Sequence, residues 1–220
     1  MTADSNTSIR KLEPTNVWNH FCDLNAVPRP SKKEERVIEF IKSFGESLNL
    51  ETSVDHAGNV IIRKPATAGK EKSKTVVLQS HLDMVHQKNA DTEFDFDSQG
   101  IQMLVDGDWV KANGTTLGAD NGLGVAAIMS VLTSTDIEHP PIEALFTIDE
   151  ETGMTGAKQP MVSSSSSSVS KFSIIWPVKW PACSCLAPVM PVSSSIVNNA
   201  SMGGCSMSVE ANTDLSLIHI

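Results

Sequence analysis

Three apolar, strand-like runs in this chain each give way to a cluster of acidic or imidazole side chains. Thr75-Val76-Val77-Leu78 leads to His81-Leu82-Asp83, and Trp109-Val110-Lys111-Ala112 leads to Gly118-Ala119-Asp120-Asn121-Gly122. Ala144-Leu145-Phe146-Thr147-Ile148 leads to Asp149-Glu150-Glu151-Thr152-Gly153. Strands of one sheet deliver their last residues to a common rim, so segments far apart in the chain can meet at one site. One imidazole with several carboxylates is the donor set of a zinc-like pair of divalent ions, and such a pair drives hydrolysis.

Helical periods fill the spaces between the runs. Thr15 reads as the cap of a helix through Val17, Trp18, Phe21, Cys22 and Leu24, ended by Pro28. Ser31 and Glu34 read as a capping box, opening a second helix whose buried face is Val37, Ile38, Ile41, Phe44 and Leu48. Asp55 to Asn59 reads as a turn into the strand Val60-Ile61-Ile62, and Pro65 to Lys74 as a polar loop. A third helix begins just after Asp120, packing through Leu123, Val125, Ala126, Ile128, Met129 and Leu132. This alternation predicts an α/β fold, a mixed and largely parallel sheet flanked by helices.

The composition divides the chain near Lys158. Residues 1–157 hold 38 of the 43 charged side chains. Residues 158–220 hold sixteen serines, with Ser163 to Ser168 in one run, and prolines at 160, 177, 181, 188 and 191. Proline at that spacing blocks helix and central strand alike, so the segment is expected to be an irregular tail. A serine-rich linker to an interaction segment is one reading. A continuation foreign to the preceding domain accounts better for the abrupt loss of charge. Phe172 to Val192 is largely apolar, yet Lys179 and four prolines argue against a membrane span.

The net charge of −9 comes with no basic stripe to meet phosphate, which argues against a nucleic-acid partner. Met1 to Glu13 is polar and lacks the apolar core of a secretory signal. Cys22, Cys183, Cys185 and Cys205 form neither a disulfide framework nor a spaced zinc knuckle. A cytoplasmic protein with reduced thiols is the expectation.

On a strand, His81 and Asp83 share one face while Leu82 points into the core. A ligating histidine needs its second nitrogen fixed by an acceptor, and Asp83 is placed for that. The same triplet also occurs as a purely structural pair. Asp120, between glycines, either caps the third helix or is held there as a carboxylate shared by two ions. No Lys-Ser or Lys-Thr follows those glycines, so they do not form a phosphate loop. Glu150 and Glu151 are consecutive; one can bind metal while the other takes a proton from water, or both are a solvated acidic turn. His20, His56, His86 and His139 read as surface or turn residues, His86 lying nearest the site in sequence.

Residues of about 14 to 157 closely resemble the aminoacyl-histidine dipeptidases, also called Xaa-His or cytosol non-specific dipeptidases. These belong to the dizinc peptidases that include aminoacylases and glutamate-releasing carboxypeptidases. The resemblance rests on Ile61 to Gly69, Val77 to Val85, Gly114 to Gly122 and Glu150 to Met154. It implies a zinc-dependent dipeptidase acting through activated water, with His81 as a ligand oriented by Asp83. It further implies Asp120 as a bridge between two zinc ions, followed by a cis peptide to Asn121. Glu150 becomes the general base and later the proton donor to the leaving amine. Glu151 becomes a ligand to one zinc, and which one is left open.

Members of that family are more than twice as long, with an inserted lid and dimerisation domain, and are homodimers. They carry two further ligands, an aspartate in an Asn-Thr-Asp stretch and a histidine near the end. Asn212-Thr213-Asp214 and His219 match in type but not in setting. The resemblance therefore implies the N-terminal part of such an enzyme, truncated and with little or no activity. The other readings are a non-catalytic fragment that binds metal or a partner weakly, and an aminoacylase-like amidohydrolase.

Overall fold

The computed structural model describes residues 6–158 and the backbone of one strand at 217–219. A 3-10 turn at Ile9–Lys11 precedes helices α1 (Thr15–Asn25) and α2 (Glu35–Ser47). Strands β1 (Glu51–Val54), β2 (Val60–Lys64), β3 (Val76–His81), β4 (Met103–Asp106) and β5 (Trp109–Ala112) follow. Helix α3 (Ala119–Thr133), β6 (Ile142–Thr147) and β7 (Leu217–His219) complete the order.

Two sheets form. The first has the order β1-β2-β6-β3, and the second β4-β5-β7. The mixed sheet flanked by helices is as expected, but the parallel share is smaller. Only β3 and β6 run parallel, with His81 opposite Thr147; the β1–β2 and β2–β6 pairs are antiparallel. The reason is connection length. The turn at Asp55 to Asn59 is tight, its three backbone N–H groups at 57, 58 and 59 donating to Asp55 Oδ1, and so it reverses the chain. A parallel step needs a long crossover, and here α3 lies between β3 and β6.

The second sheet corrects the expectation of one common rim. β5 is not a neighbour of β3 or β6; it pairs with β4 across the two-residue turn Gly107-Asp108, where Gly107 has φ +59°. Asp120 therefore reaches the site from the head of α3, which packs on β3. Within the tail, the backbone of Leu217 to His219 pairs with β5. Asp214, the tail cysteines and the serine run lie outside the described residues.

Two helix caps are placed differently from the sequence reading. Thr15 is the first residue of α1, and Pro14 occupies the cap; Thr15 donates its N–H and hydroxyl to the Glu13 carboxylate, each at 2.9 Å. Ser31 does not cap α2. The chain from Arg29 to Ser31 runs beside Met84, exchanging backbone hydrogen bonds with it, and that brings the Ser31 hydroxyl to Asp83 instead.

The core has two parts. Val37, Ile41, Val60, Ile62, Leu82, Val125, Met129, Leu132, Ala144 and Phe146 fill the space between the first sheet and α2 and α3. Trp18, Phe21, Met84, Ile101, Met103, Val110, Leu117 and Ala126 form the other. Helix α3 contributes to both, which is why its apolar residues run round it rather than along one stripe. Leu82 is fully buried in the first part, as the alternation about it requires.

Candidate metal centre

The parallel neighbours β3 and β6 end side by side, so His81 and the segment Asp149-Glu150-Glu151 emerge together. His81 is 3% exposed. Its Nδ1 lies 3.3 Å from Asp83 Oδ1 and 3.1 Å from the Asp83 carbonyl oxygen. Its Nε2 lies 3.2 Å from Asp120 Oδ1 and 3.8 Å from Glu150 Oε2. Donor atoms of His81, Asp120 and Glu151 all fall within 4.8 Å of one another. All five residues singled out from the sequence are thus brought together.

Asp83 organises the group. It is fully buried, and each of its oxygens has partners. Oδ1 accepts the N–H of Glu150 at 3.0 Å; Oδ2 accepts the N–H of Glu151 at 3.1 Å and the Ser31 hydroxyl at 2.8 Å. One carboxylate therefore holds the histidine and the backbone of the loop that carries both glutamates. Burial alone would raise its pKa, but hydrogen bonds from His81, Ser31 and Glu150 outweigh that and lower it to about 2.

The same exchange works in reverse on the imidazole. Burial disfavours the His81 cation, yet its bonds to Asp120 and Asp83 and their charges raise the pKa to about 10. Glu151 is pushed up by burial and by the neighbouring charges of Asp120, Glu150 and Asp83, against the pull of His81. Such crowding of carboxylates around one imidazole is a set of charges that a divalent cation would relieve. One nitrogen and two carboxylates suit a zinc-type ion, so the residues present fit such a group.

Asp120 has φ −89° and ψ 112°, outside helical geometry although it lies within α3, and a cis peptide links it to Asn121. The cis bond is where the family resemblance placed it. The Ser80 hydroxyl donates to the Asn121 carbonyl at 3.2 Å and ties this turn to β3.

Four contributors were not visible in the sequence. Arg29, 1% exposed, donates from Nη1 to the Leu82 carbonyl at 3.0 Å and from Nη2 to the Gly118 carbonyl at 2.6 Å. Ser31 holds Asp83 through its hydroxyl. Glu34, 4% exposed, accepts the Asp149 N–H at 3.2 Å, and burial raises its pKa to about 7. Lys32 pairs with Asp149 at 2.8 Å, where Asp149 adopts a positive φ of 58°. All four lie between α1 and α2, in a stretch that reads as turn and cap. Its proline-flanked arginine has no periodic neighbour to announce burial.

Of the remaining histidines, His56 and His86 are exposed. His86 sets its ring edge-on to Phe96 at 5.8 Å. His20 is half-buried within α1, its ring edge-on to Phe44 at 5.6 Å, and His139 is buried, with Nδ1 2.8 Å from the Pro140 carbonyl oxygen.

Residues 77–186 match the family model described as peptidase family M20/M25/M40, half of the chain. The chain belongs to this family. The matched span contains His81, Asp83, Asp120, Glu150 and Glu151 and crosses the change of composition at Lys158. Among M20/M25/M40 relatives, the cytosol non-specific dipeptidase of Escherichia coli is 48% identical over 151 residues, which are 69% of this chain and 31% of that protein. The aminoacylhistidine dipeptidase of Vibrio alginolyticus superposes with a TM-score of 0.66 at 51% identity, over 68% of this chain and 30% of that one. An aminopeptidase of Bacillus cereus superposes with a TM-score of 0.54 at 26% identity, over 66% of this chain and 39% of that one. The chain thus spans about a third of the length of these peptidases. Among the described residues, no helix is long and apolar enough to cross a membrane.

Proposed function

We propose that this chain carries part of the centre of a cytoplasmic zinc dipeptidase that hydrolyses dipeptides, including those ending in histidine. The observation that carries the reading is the meeting of His81, Asp120 and Glu151 donors within 4.8 Å, with Glu150 beside them. The names of two relatives, both dipeptidases at about half identity, support the substrate class.

His81, Asp120 and Glu151 are the residues that would hold two zinc ions. Bound there, the ions would supply Lewis-acid charge and make water a competent nucleophile at neutral pH. Asp83 keeps the His81 ring in one orientation and, through the N–H groups of Glu150 and Glu151, keeps the acidic loop in register with it. The Glu150 side chain is 19% exposed, enough to meet substrate, and takes the proton of the attacking water. It then returns that proton to the leaving amine.

Three donor residues among the described residues are few for two ions, and this favours a second statement about the chain as it stands. We infer that it binds metal weakly and turns over slowly. No nucleic-acid or membrane partner enters this reading.

Hydrolysis of an Xaa-His dipeptide, followed with and without added zinc, tests the assignment. The expected result is slow, zinc-dependent turnover, far below that of a longer relative assayed alongside, and abolished by Glu150→Gln with zinc uptake retained. Turnover indifferent to zinc would overturn the metal dependence, and turnover unchanged in Glu150→Gln would overturn the role of Glu150 as base.

A further inference from the structure

Among the described residues, Arg29 is one of the largest fully buried side chains, and its guanidinium bonds to the backbone of the segments that carry His81, Asp83 and Asp120. Nη1 binds the carbonyl of Leu82, the residue between His81 and Asp83. Nη2 binds the carbonyl of Gly118, two residues before Asp120, and the Asn25 side chain at 3.0 Å. Asn25 in turn donates to the Leu117 carbonyl at 3.1 Å. The planar fork of an arginine can hold two carbonyls in a fixed relation, which a lysine ammonium cannot do.

The guanidinium also explains the glycines around Asp120. Gly118 has φ +69°, and a Cβ there would collide with Arg29 Nη2 and with the Met84 sulfur. Gly122 has ordinary helical geometry, yet a Cβ there would sit 2.7 Å from Arg29 Nη2 and 2.9 Å from Phe21. In the sequence these glycines read as serving the carboxylate. The structure assigns them, in addition, to the arginine beneath it.

We propose that Arg29 is a positioning residue of the metal centre, its buried fork locking the His81–Asp83 strand end against the Gly118–Gly122 turn so that the donors are aligned before a cation arrives. This rests on the metal-centre reading above. Preorganisation of this kind raises affinity because binding no longer has to order the donors. The positive charge of Arg29, facing Asp83, Asp120 and Glu151, also offsets part of their mutual repulsion in the metal-free chain.

The test is Co²⁺ titration of the 220-residue chain, read from the visible absorption of the bound ion, with circular dichroism and thermal melting in parallel. Arg29→Lys keeps a cation but loses the fork; Gly122→Ala keeps the arginine but crowds it; Lys33→Ala is the control in the same loop. The expected result is a fold retained in all three, affinity about tenfold lower in Arg29→Lys and Gly122→Ala, and an altered absorption band in both. Parent affinity and an unchanged band in Arg29→Lys would overturn the proposal, even if its melting temperature fell. So would unfolding of both variants, which makes Arg29 a residue of the fold alone. Failure of the parent chain to bind Co²⁺ is a different result, and sinks the metal-centre reading itself.

Discussion

Asp83 accepts the backbone N–H of Glu151 at 3.1 Å, so one buried carboxylate joins the strand that supplies the imidazole to the loop that supplies the second acid. The bond spans 68 residues of sequence. It makes the relative placement of His81 and Glu151 a property of Asp83 rather than of any bound ion.

Replacing Asp83 by asparagine should therefore harm metal binding more than the loss of one charge suggests. An amide offers one acceptor oxygen where the carboxylate satisfies the N–H groups of Glu150 and Glu151 and the Ser31 hydroxyl. Zinc affinity of Asp83→Asn, measured by calorimetry, is expected to fall by about 10- to 100-fold. An affinity within twofold of the parent would remove Asp83 from the organising role.

Glu34 gives the chain a pH dependence of definite sign. Burial raises its pKa from 4.5 to about 7, so the folded state binds more protons than the unfolded state between those values. Stability contributed by this group is thus lost as pH rises from 4.5 towards about 7. Glu34→Gln keeps an acceptor for the Asp149 N–H and removes the titration. Its melting temperature relative to the parent should improve on going from pH 5 to pH 7.5; a constant difference across that range contradicts the assignment.

Leu82 anchors the strand end between the two site residues. It is fully buried against the helices, so Leu82→Ala should cost about 2–5 kcal/mol of stability in denaturant unfolding. A loss of a few tenths of a kcal/mol would mean that the site's strand is not held by this packing.

Much of this was legible in the chain, and the rest was hidden for identifiable reasons. The period-two pattern around Leu82 and the apolar runs before His81 and Asp149 correctly bring those segments together, because β3 and β6 are neighbours. Sharing of one sheet by β5 was an error that Asp106-Gly107 could have prevented, since that pair signals a tight hairpin rather than a step into the main sheet. Arg29 left no comparable trace. Its carbonyl partners lie 53 and 89 residues away, and arginine is ordinarily a surface residue, so only the assembled structure reveals its burial. Ser31 and Glu34 carried a helix-start signature, and tertiary contacts with Asp83 and Asp149 claimed both side chains instead.

The proposed centre has one imidazole and separated carboxylates gathering a divalent cation. X-ray absorption at the zinc edge, on the chain loaded with one equivalent of Zn²⁺, reads the donors directly. The expected spectrum has nitrogen and oxygen neighbours, no sulfur, and loses the imidazole signal in His81→Ala. A spectrum dominated by sulfur from Cys183, Cys185 or Cys205, or one unchanged by His81→Ala, would contradict it.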